Sequence, residues 1–212
     1  NYNADGIAVS QMRYVNNTSY RDEWYLTKLD YNTAINLLGI TNQGHDHSLS
    51  LLLVDNDLKK SGFVNSNTVL GNISGEECLE MIQESQVFIS RSHGIVIIDV
   101  INNSIISTGI QLNDDESNKI GLFSRVWWNG TSENRAIVLD DSFSDTKIIV
   151  FVGCNTATTG STVSNLSEIA HHNGAQVVIG FTESIWCYEA NIWTTLFYEA
   201  LISGNTVGEA VV

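Results

Sequence analysis

The chain has 212 residues, 43% of them hydrophobic, and a mean hydropathy near zero, which suits one sizeable α/β core and does not suit a disordered segment. Its 10 Lys and Arg face 24 Asp and Glu, a formal net charge of −14 at pH 7; direct nucleic-acid binding needs clustered basic residues and is excluded, whereas basic peptides or proteins would be attracted. No apolar run approaches the roughly 18 residues of a membrane span, and Cys78, Cys154 and Cys187 form neither a CxxC pair nor an even set, so a reducing, cytoplasmic setting is expected, with a removed leader or an upstream domain compatible with a start that lacks Met.

Taken from the N-terminus, GIAVS at 6–10 reads as a first strand. DYNTAINLLG at 30–39 reads as a helix with Ala34, Ile35 and Leu38 inward and Gly39 closing it, and HSLSLLLVDND at 47–57 as the next strand. His45, Asp46 and His47 alternate as ligands on one strand face would, but no third and fourth ligand stands at a diagnostic spacing, so no metal or cofactor is assigned. From residue 74 the organisation sharpens. Ser74 and Glu77 make a capping box for a short helix whose Cys78, Leu79 and Ile82 share one face. That helix feeds the apolar strand QVFIS, which ends on His93 and Gly94; IVIIDV, the Asn102 and Asn103 pair and SIIST then read as a β-hairpin with a left-handed turn. Residues 113–145 read as a long exposed excursion. KIIVFVGCNTA at 147–157 is an unalternated β-branched run, as expected of a parallel strand covered on both faces. A helix is expected from about Thr162, with Val163, Leu166, Ile169 and Ala170 on one face and a stop near Asn173 and Gly174. His171 and His172 then suit its C-terminal dipole. AQVVIGF supplies a third strand, followed by a helix with Trp193, Leu196, Phe197, Ala200 and Leu201 inward. This rhythm predicts an α/β fold, an open and mostly parallel sheet with helices on both faces.

In such sheets ligands bind outside the carboxyl ends of the strands, and His93 and Cys154 both fall there. A lone histidine at a strand end is ordinarily a partly solvated loop residue, and a partner across the crevice changes that reading. If the two strands are neighbours, a thiol nucleophile faces an imidazole that can move a proton to a leaving amine. Gly94 and Gly153 beside them let a peptide approach, and the N–H groups of Gly94 and Cys154 are candidate oxyanion donors.

VFISRSHG, followed about sixty residues later by IIVFVGCNTA, resembles the histidine and cysteine motifs of caspase-like (clan CD) cysteine peptidases. Residues 154–211 are similar almost throughout to the CHAT domain, the branch that includes separase-like proteases: Cys-x-Thr-Ala, a helix, Gly-Ala, a strand ending Ile-Gly-Phe, a helix with Trp and Phe, then Gly-x-x-Val-x-Glu-Ala. The likeness covers about 74–212 within one domain spanning 1–212, expected to be a piece of a longer protein. It implies a caspase-hemoglobinase three-layer α/β/α sandwich, with His93 as general base or acid, Cys154 as nucleophile and Gly94 as oxyanion donor. Papain-like enzymes place the cysteine first, whereas here the histidine precedes it. Many basic-specific relatives carry an Asp just before the cysteine, where this chain has Val152 and Gly153, so their P1 preference does not transfer.

For substrate selection, Glu183 and Glu189 with Trp186 form one candidate set that would suit a Lys or Arg at P1, and Asp140, Asp141 and Asp145 form a rival one. The expected activity is cysteine endopeptidase cleavage of a protein or peptide substrate without a cofactor, under a regulatory domain or activator. Self-cleavage after Lys119, Arg125 or Arg135 is a corollary. The contrasting readings are a catalytically silent binding or scaffold module and, less directly, a thiol hydrolase or acyltransferase of another kind.

Overall fold

The computed structural model describes residues 12–15, 28–40, 48–113, 120–124, 136–139, 142–158 and 165–211. In chain order, β1 (Met12–Val15), β2 (Ile35–Gly39), β3 (Ser66–Leu70) and β4 (Val87–Arg91) belong to a central sheet. A second sheet follows with β5 (Gly94–Asp99), β6 (Ser104–Gln111), β7 (Gly121–Phe123) and β8 (Ala136–Val138), after which β9 (Ile148–Val152) and β10 (Val177–Phe181) return to the first. The helices are α1 (Ser48–Lys60), α2 (Gly75–Gln83), α3 (Leu166–His172), α4 (Cys187–Ile202) and α5 (Val207–Ala210).

The central sheet runs β1-β10-β9-β4-β2-β3; five strands are parallel and β1 alone is antiparallel, against β10. Every residue of β4, β9 and β10 is buried, which is why these segments lack polar alternation. Their side chains still divide with period two. Val87, Ile89, Ile148, Val150 and Val152 pack with Leu51, Val54 and Leu58 of α1 and Trp193, Phe197 and Leu201 of α4. Phe88, Ile149, Phe151 and Val178 pack on the opposite face with Cys78, Leu79 and Ile82 of α2 and Leu166 and Ala170 of α3. The architecture is a three-layer α/β/α sandwich, and the α4 aromatics are core: Trp193 stacks on Phe197 at 5.0 Å and meets Phe181 edge-on at 5.3 Å.

Several local expectations hold. Ser74 and Glu77 form both bonds of the capping box, and the hairpin turns at Asn103 with φ 54°. Others are overturned. The segment read as a helix at 30–39 is strand β2, because both of its faces are covered and Leu37 and Leu38 enter opposite cores. The segment read as a strand at 47–57 is helix α1: Leu51, Val54 and Leu58 line its buried stripe, Leu52 and Leu53 face out, and Lys59 meets Asp55 one turn back at 2.7 Å. The long excursion carries β7 and β8 and sends Leu122, Leu139 and Phe143 into the core. Helix α3 begins at Leu166 behind an Asn165 and Glu168 capping box, later than Thr162, and Leu196 is exposed. GIAVS, the trio His45, Asp46 and His47, and Lys119, Arg125, Arg135, Asp140 and Asp141 lie outside the described residues.

Candidate active site

Parallel pairing of β4 with β9 turns sixty residues of sequence separation into contact. Arg91 sits in register with Val152, and the Ser92 N–H continues the ladder to the Val152 carbonyl at 3.2 Å. His93 and Cys154 each stand two residues beyond those partners, so they leave the carboxyl edge of the sheet side by side, both half-buried.

Two glycines let the backbones meet there. A Cβ on Gly94 would overlap the Cys154 carbonyl oxygen and lie 2.7 Å from the Cys154 nitrogen; one on Gly153 would lie 2.9 Å from the Ser92 oxygen and 3.1 Å from the Gly94 nitrogen. Gly153 is therefore a packing residue between the two strand ends. The His93 carbonyl accepts from the Gln111 N–H of β6 at 2.9 Å, so by strand alternation the Gly94 N–H points away from β6.

The turn after β9 is held tightly. Asn155 adopts φ 60° and donates its N–H to the Glu183 carbonyl at 3.1 Å. Fully buried Thr156 directs its hydroxyl at the Phe151 and Gly153 carbonyls, 3.0 and 3.2 Å away, and accepts the Phe181 N–H at 3.0 Å. Thr158 bonds the Asn155 side chain at 3.2 Å and the Thr182 carbonyl. Cys154 Sγ accepts the Ile185 N–H at 3.4 Å and lies 3.6 Å from the Ile185 carbonyl, so the segment between β10 and α4 forms the wall beside the thiol.

Of the residues expected to select substrate, Glu183 and Trp186 are exposed on that wall. Glu189 is partly spent on structure, since its carboxylate accepts the Trp186 N–H at 3.4 Å. Asp145 precedes β9 and lies at the amino edge of the sheet, about 13 Å of strand away from the carboxyl edge at about 3.3 Å per residue. It does not belong to the crevice.

Arg91 escaped the sequence reading, although an arginine closing an otherwise apolar strand is a signal. It is 2% exposed, and its Nη2 donates to Asn191 Oδ1 at 2.5 Å and to the Cys187 carbonyl at 3.2 Å, with Cys187 Sγ at 3.7 Å. Burial lowers the guanidinium pKa, opposed by the nearby Cys187 and Cys154 thiols. Arg91 thus pins the first turn of α4, and with it the Ile185 wall, to the end of the histidine strand. Comparison of the chain with family models, curated proteins and solved structures returns no match.

Proposed function

We propose that the protein is a cysteine endopeptidase of the caspase-like, CHAT-related kind, acting through His93 and Cys154. The observation that carries this reading is the in-register pairing of β4 with β9, which delivers the histidine and the cysteine to one sheet edge with the Gly94 backbone against that of Cys154. In the proposed reaction Cys154 Sγ turns from Ile185, loses its proton to His93 and attacks the substrate carbonyl carbon. The N–H groups of Gly94 and Cys154 receive the oxyanion. Collapse of the tetrahedral adduct breaks the C–N bond, His93 protonates the departing amine, and an acyl-thioester remains. Water, deprotonated by His93, hydrolyses it and regenerates the thiol.

Exposed Glu183 beside Trp186 supports a Lys or Arg at P1, the carboxylate meeting the cation and the indole covering its stem. A regulatory domain or activator completes the proposal.

The test is digestion of a diverse peptide library by wild-type protein, Cys154→Ala and His93→Ala, read by mass spectrometry. Cleavage abolished in both variants, with basic P1 residues, is the expected result; intact mass of the enzyme in the same run reports self-cleavage at Lys119, Arg125 or Arg135. Cleavage that survives Cys154→Ala would refute the assignment, and a folded, silent wild type would favour the binding-module reading.

A further inference from the structure

Strand β5 starts at Gly94, directly against Cys154, and among the described residues β6 is its only strand neighbour. Among the described residues no strand pairs with its other edge where it leaves the candidate site. The His93 bond to Gln111 sets the alternation: residues 93, 95 and 97 turn their backbone groups toward β6, and Gly94 and Val96 turn theirs outward. The regular ladder lasts only to Ile97, where the register shifts. Up to that point the strand reads Gly-Ile-Val-Ile, without the proline, lysine or inward charge that usually blunts an exposed edge. An edge that no described strand pairs is a template for an extended chain, and here the template leads straight from the thiol.

Direction follows from the chemistry. A leaving amine must face His93 to be protonated, so the part of a substrate that follows the scissile bond departs on the side where β5 follows His93. We propose that the outward edge of β5, through the Gly94 carbonyl and the Val96 N–H and carbonyl, pairs with the extended stretch of polypeptide substrate C-terminal to the scissile bond, as an added strand, the Gly94 N–H being kept for the oxyanion. The inference rests on the peptidase reading and sharpens it: the substrate is a locally unfolded polypeptide, held by its backbone on the leaving side, with pairing that ends at the irregularity after Ile97.

A peptide cleaved by the wild type is lengthened from one to five residues beyond the scissile bond, then N-methylated at one leaving-side amide at a time. The expected result is kcat/KM that rises with length and levels off by about the fourth residue, with a loss of about tenfold for methylation at an amide facing the edge and little at its neighbours. Val96→Pro, which deletes an outward N–H and leaves the ladder to β6 intact, should flatten the length series. A flat series together with a flat methylation scan on wild-type protein overturns the inference alone and needs no variant to fold. Failure to cleave any peptide counts against the peptidase reading and takes this inference with it.

Discussion

Thr156→Val is the sharpest probe of how the cysteine turn is built. The side chains are nearly the same shape, so the change removes hydrogen bonding and little else. Two losses follow. The hydroxyl no longer donates to the Phe151 or Gly153 carbonyl, a net loss of about 1 kcal/mol. The Phe181 N–H, buried and bonded to Thr156 Oγ1 at 3.0 Å, is left without its acceptor, which costs about 1–3 kcal/mol. The sum is about 2–4 kcal/mol, a large share of the roughly 5–15 kcal/mol stability of a typical domain. Thr156→Ser keeps the hydroxyl and loses one buried methyl, about 1 kcal/mol. Urea unfolding of the three proteins, with slopes compared to confirm a common unfolded state, gives the numbers. A valine variant as stable as the wild type, or no less stable than the serine variant, would refute the reasoning.

Two further predictions concern the described fold. Cys78 is fully buried in the α2 core and burial pushes its thiol pKa far up, so iodoacetamide should label Cys154 and Cys187 in native protein and reach Cys78 only in urea; native labelling of Cys78, mapped by mass spectrometry, would contradict the packing of α2. Glu77 accepts the Ser74 N–H at 2.7 Å, and its hydrogen bonds with Ser74 hold its carboxyl pKa below the ordinary 4.5. A depressed carboxyl contributes stability above its unfolded value and loses it as pH falls through the folded one, so the gap between wild type and Glu77→Gln should shrink from about pH 6 to about pH 3; a constant gap would remove the capping bond from the account.

The parts of the fold legible in the sequence were those whose signals are local. The Ser74 and Glu77 capping box needs only the first turn of its helix, and the Asn102 and Asn103 turn only four residues of backbone. The unbroken apolar run before Cys154 announced a covered parallel strand, and the apolar stretch that leads to His93 a buried one, whatever their neighbours. Residues 30–57 were misread because short apolar runs satisfy both periods. Ile35 and Leu38 stand at helical spacing yet lie on a two-faced strand, while the leucines of α1 look like a continuous run until a single buried stripe selects three positions in it.

By itself the sequence determined that a histidine and a cysteine end two buried strands and that a glycine accompanies each. Tertiary structure decided that those strands are adjacent and in register. It also decided that the glycines serve each other's close approach, that Asp145 lies at the far edge and that buried Arg91 ties α4 to the histidine strand. The division has one physical cause: capping, turn chemistry and hydrophobic continuity act through neighbours along the chain, whereas strand order and burial are set by which surfaces exclude water together, a choice no single segment encodes.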